Sequence, residues 1–272
     1  MEAADARPFD PMPTSETTRT SPKISACVIT LNEADRIEAC LKSLAFCDDI
    51  VVVDSGSTDA TRELATALGA RVLQRAFDGY RSQKEFAVRA AQHDWVLCLD
   101  ADERVTPALR AAIEAARAED FPASGYRFAR ATEYFGAFLR HGNAYPDRVL
   151  RLFDRRRGGF RGEREIHEHA SVDGSVQTLA GDLEHRAYRS LSDQLARLER
   201  YARLMAEHQH AAGRRAYLYN VVLNPFWRFL RGYVLRAGFL DGWRGLVYAY
   251  VEANYVRQKF IKLWLLERGQ RI

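Results

Sequence analysis

The sequence predicts an α/β protein in which a mostly parallel central sheet is flanked by helices and followed by a C-terminal helical extension. Through residue 100, apolar runs alternate with stretches whose apolar residues recur at helical spacing, and this order indicates a parallel sheet with right-handed crossovers. From Ser192 onward the chain is predicted to be helical. A length of 272 residues suits one large domain or one domain with an appendage.

We expect three segments along the chain. Residues 1–22 are acidic at first and then rich in Pro, Ser and Thr, which is typical of a disordered tail, and they lack the basic region and apolar core of a signal peptide. Residues 23–190 are predicted to form the α/β domain. Residues 191–272 are predicted to form a C-terminal helical region with a membrane-associating character.

The elements of the first half follow from the apolar pattern. Apolar runs without alternation are typical of strands buried on both faces. They predict strands at 24–31, 50–53, 71–73 and from Trp95 to Leu99. Helical spacing predicts helices at about 34–45, from Ser57 or Thr58 to Gly69, and at about 80–91.

The second half is predicted to be mixed and more irregular. Thr106 and Pro107 begin a predicted helix that extends to about Ala118. Strand-like pieces follow at 125–129, 132–138, 149–153 and 176–179. We therefore expect the cleft of this protein at the strand ends of the more regular first half.

Composition restricts the class of protein. A hydrophobic content of 47% with 28% charged residues is ordinary for a soluble globular protein, and a net charge of +4 is too small to argue for nucleic acid. Four cysteines without CxxC spacing indicate structural thiols in a reducing compartment. No apolar run approaches the roughly 18 residues of a spanning helix. We expect a cytoplasmic protein, soluble or peripherally bound to a membrane, with no nucleic-acid partner.

Three carboxylates directly follow the Trp95 strand, at Asp100, Asp102 and Glu103. Open α/β sheets bind ligands at the carboxyl ends of their strands, and two carboxylates at this spacing repel each other unless a cation joins them. Hard cations such as Mg²⁺ or Mn²⁺ prefer such oxygens. The alternative is a solvated turn that only starts the next helix. Where Asp102 holds the cation, Glu103 is expected to turn toward the next helix. For this stretch alone, both interpretations stay open.

Two other strands end in polar clusters, Thr30-Leu31-Asn32-Glu33 and the run from Asp54-Ser55 to Asp59. Parallel strands bring their ends to one crevice, where a nucleoside diphosphate would use these groups together. Asn32 and Asp54 could bond a base, Glu33 or Asp100 a ribose hydroxyl, and Asp102 a cation on the phosphates. A Walker A motif and GxGxxG are both absent, so P-loop and Rossmann sites lack support.

These motifs resemble those of the inverting family 2 glycosyltransferases of GT-A fold. The resemblance rests on the segments Val28–Glu33, Val52–Asp59 and Leu99–Glu103 in their order and spacing. A longer pattern is similar to the WaaE-like β-glucosyltransferases, which add a sugar to the lipopolysaccharide inner core. That pattern includes Asp147–Phe153, Ile166–Glu168, His185–Tyr188 and Gly238–Gly242.

The resemblance implies a UDP-sugar donor and Mg²⁺ or Mn²⁺. Asp102 would be the metal ligand, and His185 a further one. Lys84 could reach a donor phosphate, or it could be an ordinary exposed helix lysine. The implied donor site comprises Thr30, Asn32, Glu33, Asp54, Ser55, Lys84, Asp100 and Ala101.

An inverting transfer needs a base that takes the proton of the acceptor hydroxyl. We predict Glu168, flanked by His167 and His169, in this role, with Asp147 and Glu165 as rivals. The run between Arg148 and Arg164 is predicted either to clamp a phosphorylated acceptor or to be a solvated charged loop. Its arginines are Arg151, Arg155, Arg156, Arg157 and Arg161.

The helices beyond Tyr217 interleave aromatic with basic residues, which suits the interface of a membrane with anionic headgroups. A helical lid packed on the domain is the alternative, and we expect interfacial binding only for Asn224–Leu240. The predicted function is metal-dependent, inverting transfer of a sugar, with glucose as the leading case. A lipid-linked saccharide such as lipopolysaccharide inner core would be the acceptor at the cytoplasmic face of the inner membrane. Polyprenyl phosphate, exopolysaccharide or peptide acceptors and a catalytically silent nucleotide-sugar-binding module are the alternatives.

Overall fold

The computed structural model describes residues 21–161 and 169–272, and its first half is a parallel sheet. The neighbouring strands run in the order β3-β2-β1-β4, all parallel, as the sequence predicts. The strands are β1 (Ile24–Thr30), β2 (Asp49–Asp54), β3 (Arg71–Gln74) and β4 (Trp95–Asp100). The crossovers contain α1 (Ile37–Ser43), α2 (Thr61–Ala67) and α3 (Tyr80–Ala90).

The sheet continues beyond β4 with strands of mixed direction. Its further elements are β5 (Glu103–Val105), α4 (Pro107–Ala118), β6 (Gly125–Tyr134), β7 (Ala137–Phe138), β8 (Asp147–Asp154) and β11 (Val176–His185). Strand β8 lies antiparallel between β4 and β6, β11 is parallel to β6, and β5 is antiparallel to β11. A separate two-stranded sheet pairs β9 (Gly158–Arg161) with β10 (His169–Val172).

Two local predictions for this half need correction. The pieces at 125–129 and 132–138 are one long strand, β6, followed by the two-residue β7, which folds back on it. Glu103 does not turn toward α4, because it begins β5 and pairs with His185 of β11. Such pairing joins residues more than 80 positions apart, so no local pattern in the sequence reveals it.

Each face of the parallel sheet has its own apolar core. Ile24, Ala26 and Val28 of β1 face α1 and α4, whereas Cys27 faces α3. This alternation is the period of two that a strand imposes on its side chains. Because both faces are covered, the strands read as continuous apolar runs and their polar ends alone reach solvent.

The C-terminal region is helical, as predicted. It contains α5 (Leu191–Ala211), α6 (Leu218–Leu230), a π-helical turn at Arg231–Leu235, a 3₁₀ turn at Gly238–Asp241 and α7 (Gly242–Leu266). Helix α7 packs on both α5 and α6. Gly245 of α7 lies so close to Gly238 that a Cβ would overlap its carbonyl oxygen. Of the helices that the structure describes, none has the length and apolarity needed to cross a membrane.

Candidate active site

A cleft of about 1070 Å³ opens at the carboxyl ends of β1, β2 and β4. The strand ends form one wall, and α5 with Tyr255 of α7 forms the opposite one. Predicted donor and metal residues on the sheet side of this cleft are Thr30, Glu33, Ser55, Lys84, Asp100, Ala101, Asp102 and His185. The fold therefore brings together side chains from five separate stretches of the sequence.

Asn32 and Asp54 do not line the cleft. Asn32 has a left-handed backbone (φ 53°), and its Oδ1 accepts from the Thr58 amide at 2.8 Å. Asp54 is fully buried, and its carboxylate accepts from the amides of Gly56 and Ser57 and from the Ser57 hydroxyl. Both side chains thus build the loop after β2. The expected direct contact of Asn32 and Asp54 with a base does not fit this geometry.

Thr30 and Ser55 are the polar groups that these two strand ends do present to the cleft. Thr30 Oγ1 is buried and has no hydrogen-bond partner in the described part of the chain. Ser55 Oγ accepts from the Gln83 amide at 2.9 Å. An unpartnered buried hydroxyl at a strand end is the kind of group that a polar ligand would satisfy.

A compact charge cluster forms part of the cleft floor and extends beneath it. Nη2 of Arg151 donates to Asp100 at 2.9 Å and to Glu103 at 2.7 Å, and Arg130 donates to Glu103 at 3.1 Å. Lys84 Nζ is 3.2 Å from Asp100, and its side chain is buried, so it is not the ordinary exposed lysine of the alternative interpretation. Glu103 is 0% exposed. Alternating charges in this order compensate one another away from water.

The cluster keeps Asp100 ionised. Burial alone would raise the pKa of its carboxyl, but the charges of Lys84, Arg151 and Arg130 outweigh that effect and hold the pKa well below its usual range. Burial would likewise lower the pKa of Arg151, but the adjoining Glu103 and Asp100 raise it above the ordinary value. Asp100 is therefore a fixed negative charge at the end of β4.

Asp102 and His185 come together at the turn between β4 and β5. His185 Nε2 lies 3.6 Å from Asp102 Oδ2, and Asp102 Oδ1 is buried without a hydrogen-bond partner in the described part of the chain. A carboxylate oxygen and an imidazole nitrogen suit Mn²⁺, and the carboxylate suits Mg²⁺. Within residues 21–161 and 169–272, no three His, Cys, Asp or Glu side chains gather as a complete metal site. A cation here would complete its shell with ligand oxygens and water.

Glu33 belongs to a second ion-paired group at the rim. Arg189 Nη2 donates to Glu33 at 2.8 Å and to Asp35 at 2.8 Å, which ties the segment before α5 to the end of β1. Burial raises the pKa of the Glu33 carboxyl, against the opposing charges of Arg189 and Arg36. The predicted contact of Glu33 with a ribose hydroxyl stays a prediction.

The predicted bases differ in what the structure shows. Glu168 and Glu165 lie outside the described residues, so their assignment stays a prediction. Asp147 begins β8, and its Oδ2 accepts from Arg130 Nη2 at 2.6 Å and from Nε at 2.9 Å. It does not line the cleft. Because Arg130 engages this carboxylate outside the cleft, Asp147 is the weaker rival.

The proposed arginine clamp is wrong for four of its members. Arg151 is buried in the charge cluster. Arg155, Arg156 and Arg157 follow Asp154, which pairs with Trp95 at the opposite end of β4 from the cleft. Arg155 instead donates to the carbonyl group of Val88 in α3, Arg156 to Asp154, and Arg157 to Ser124. Because β8 runs antiparallel to β4, the arginines after it are carried away from the site.

The sequence patterns did not single out the second wall. Helix α5 presents Asp193, Ala196, Arg197, Arg200, Tyr201 and Met205 to the cleft, together with Arg130, Tyr188 and Arg189 from other elements. Successive α5 positions are one, three or four residues apart, which places them on one broad face of the helix. That spacing was a usable signal, but only the fold shows that this face turns toward the strand ends.

The chain belongs to glycosyl transferase family 2, whose model matches residues 25–179. It is a glycosyltransferase with a mainly parallel central sheet flanked by helices and a C-terminal helical region. The family match extends from β1 into β11, so it includes the cleft ends of β1, β2 and β4, whereas His185 lies beyond it.

The relatives of the whole chain include a lipopolysaccharide core enzyme. The lipopolysaccharide core biosynthesis glycosyltransferase LpsC of Rhizobium meliloti (strain 1021) is 31% identical over 249 residues, 87% of this chain and 92% of LpsC. An uncharacterized glycosyltransferase of Rickettsia bellii (strain RML369-C) is 29% identical over 247 residues, 83% of this chain and 80% of the relative. Glucosyl-3-phosphoglycerate synthase of Mycobacterium tuberculosis, solved with Mg²⁺ and uridine diphosphate, matches 39% of this chain and 43% of its own, with 25% identity and a TM-score of 0.35.

Proposed function

We propose that this glycosyltransferase moves a sugar, with glucose as the leading case, from a UDP-sugar to a lipid-linked saccharide by a metal-dependent inverting displacement. The observation that carries the proposal is the pairing of Asp102 with His185 in the cleft, beside the ionised Asp100 and the cationic Lys84. Lipopolysaccharide inner core is the leading acceptor, supported by the 31% identity to LpsC over 87% of this chain.

Different residues of the cleft would bind the nucleoside, the ribose and the diphosphate of the donor. Thr30 and Ser55 offer hydroxyls to the nucleoside, and Asp100, held ionised, can accept from a ribose hydroxyl. Asp102 and His185 would hold Mg²⁺ or Mn²⁺, which supplies charge stabilisation for the departing diphosphate. Lys84 places a positive charge on the same wall. We retain Glu168 as the base that takes the proton of the acceptor hydroxyl.

A lipid-linked acceptor is supported by an exposed apolar surface on the C-terminal helices. Between residues 208 and 240 the chain has five arginines and no Asp or Glu. Anionic headgroups attract such a basic segment, and many exposed apolar side chains on neighbouring helices are typical of an interaction surface. Its exposed large side chains, called here the apolar face, are Tyr217, Leu218, Tyr219, Val222, Leu223, Phe226, Trp227, Val234, Leu235, Phe239, Leu240, Trp243, Leu246 and Tyr250.

The apolar face extends beyond the predicted Asn224–Leu240 in both directions. Its α6 members form two adjacent rows at intervals of four residues, so they occupy one side of that helix. One row is Leu218, Val222 and Phe226, and the other is Tyr219, Leu223 and Trp227. Tyr250 of the face and Tyr255 of the cleft both lie on α7, five residues apart. Five residues of α-helix span about 7.5 Å. The apolar face therefore begins close to the cleft, so a saccharide anchored in the lipid could reach it.

The first experiment tests metal and donor together. Wild type should release UDP from a UDP-sugar only with Mn²⁺ or Mg²⁺ present, and Asp102→Asn should lose this activity. Because a bound ion stabilises the folded state, Mn²⁺ should also raise the Tm of wild type and not that of Asp102→Asn. Asp173→Asn, an exposed aspartate outside the cleft, is the matched control. A metal-independent Tm together with no UDP release from any UDP-sugar would favour the silent module.

The second experiment tests the lipid surface. The chain should float with vesicles that contain about 30% anionic lipid, and binding should fall as salt rises because charges near a membrane are screened. The double variant Leu235→Asp/Leu240→Asp should lose flotation, whereas Leu195→Asp, at an exposed leucine of α5 outside the apolar face, should retain it. Equal flotation of all three proteins would remove the membrane from the proposal.

A further inference from the structure

The cleft-facing side of α5 has no part in the donor site described above. It contributes Asp193, Ala196, Arg197, Arg200, Tyr201 and Met205. The cleft volume of about 1070 Å³ exceeds the roughly 300–1,000 Å³ of common ligand sites, so it has room for a second substrate next to the donor. The α5 wall is therefore the place to look for the group that receives the sugar.

The arginines of this wall are less fully paired with carboxylates than the cationic residues elsewhere in the cleft. Lys84, Arg130 and Arg189 each contact a carboxylate at 3.2 Å or less. Arg197 is 3.2 Å from Asp193, one turn earlier on α5. Arg200 has no acidic partner among the residues that the structure describes, and its guanidinium lies 5.7 Å from the Tyr201 ring centroid. A guanidinium in this state matches a phosphate or carboxylate in geometry and charge.

Three tyrosines line the same cleft as this positive charge. Tyr80, Tyr201 and Tyr255 all line the cleft and are only partly buried. Burial raises the pKa of Tyr80, with Tyr201 adding to the rise and Arg200 opposing it, so these three groups share one environment. A ring face is flat and apolar, while the hydroxyl of tyrosine still bonds water or ligand. The C–H face of a sugar ring has the complementary shape.

We propose that the cleft-facing side of α5 is the acceptor subsite, where Tyr201 packs against a sugar ring and Arg200, with Arg197 beside it, binds an anionic group on that saccharide. This proposal rests on the proposed function, and it adds the chemical class of the acceptor group that the enzyme binds. The anionic group is a phosphate or a carboxylate, since both accept two parallel hydrogen bonds from one guanidinium. A neutral saccharide would leave Arg200 without a partner.

The test uses delipidated core oligosaccharide as the acceptor probe in three forms: untreated, dephosphorylated, and with its carboxylates reduced to alcohols. KM is measured separately for oligosaccharide and UDP-sugar, in wild type, Arg200→Ala and Arg200→Lys. Arg203→Ala is the matched control, because Arg203 is an exposed arginine of α5 outside the cleft. UDP release without any acceptor is measured in parallel.

For Arg200→Ala we expect the KM of untreated oligosaccharide to rise about 10-fold, the size of one lost charge-assisted hydrogen bond, with the KM of UDP-sugar unaltered. The oligosaccharide KM of Arg200→Lys should lie between those of wild type and Arg200→Ala. Removing the anion that Arg200 binds should raise the oligosaccharide KM of wild type to the value seen for Arg200→Ala. Wild type and Arg200→Ala should then have the same oligosaccharide KM. The treatment with this effect thereby distinguishes phosphate from carboxylate.

Three results would overturn the proposal. A rise in the KM of UDP-sugar instead would assign Arg200 to the donor diphosphate. Equal acceptor KM values in Arg200→Ala and Arg203→Ala would refute anion binding by Arg200. A wild-type acceptor KM that neither treatment alters would refute it as well. If wild type releases no UDP with or without acceptor, the proposed function fails first. Binding of the same three oligosaccharides is then measured by calorimetry. The acceptor-subsite proposal fails if Arg200→Ala binds them with the same affinities as wild type.

Discussion

Replacing Arg151 by methionine should strongly destabilise the protein. The guanidinium is 6% exposed and one of its nitrogens bridges Asp100 and Glu103, the second of which is fully buried. The variant leaves Glu103 with Arg130 alone and Asp100 with Lys84 alone. Removing one member of a buried ion cluster costs about 3–5 kcal/mol. At 2–4 °C for each kcal/mol in a chain of this size, Tm should fall by roughly 10 °C.

Urea unfolding and calorimetry measure this loss, and a double-mutant cycle attributes it. Because an unpaired carboxylate causes much of the cost, Arg151→Met/Glu103→Gln should be more stable than the sum of the two single variants predicts. Arg151→Lys should be milder, because one ammonium can reach both carboxylates as one guanidinium nitrogen does. A loss below about 1 kcal/mol in Arg151→Met, the size of a surface ion pair, would refute the reasoning.

Two further predictions concern backbone packing and the loop after β2. Gly245→Ala should lose about 1–3 kcal/mol in urea unfolding, because its Cβ would overlap the Gly238 carbonyl, whereas Gly159→Ala, with open space around it, should be near neutral. If both alanine variants unfold alike, the close helix crossing is not rigid. Asp54→Asn should lower stability by roughly 1–3 kcal/mol without added donor, because a buried acceptor of Ser57 hydroxyl and amide bonds is altered. Unaltered stability with a raised UDP-sugar KM would instead support direct base contact.

Much of the parallel half could be predicted from sequence. Strands buried on both faces appear as uninterrupted apolar runs, and their ends appear as abrupt polar clusters, so Thr30, Ser55 and Asp102 could all be placed at one edge. Lys84 was also found, although the sequence did not show that it is buried. The aromatic and basic pattern beyond Tyr217 likewise indicated that the C-terminal helices expose apolar side chains.

Other features depended on which strands pair. Arg151, Arg155 and Arg156 look alike in sequence, yet the antiparallel direction of β8 puts Arg151 under the cleft and takes the others to its far end. Asn32 and Asp54 resemble ligand-binding groups, but the loop after β2 uses their hydrogen bonds.

The sequence by itself determined the order of elements, the strand ends with their carboxylates and the basic, aromatic character of the C-terminal helices. Only the tertiary structure decided the fate of individual charges, the α5 wall of the cleft and the side of α6 and α7 that stays exposed. The physical reason is range. Periodicity and turn chemistry act over a few residues, whereas burial of Glu103 and the approach of His185 to Asp102 depend on contacts between strands 80 positions apart.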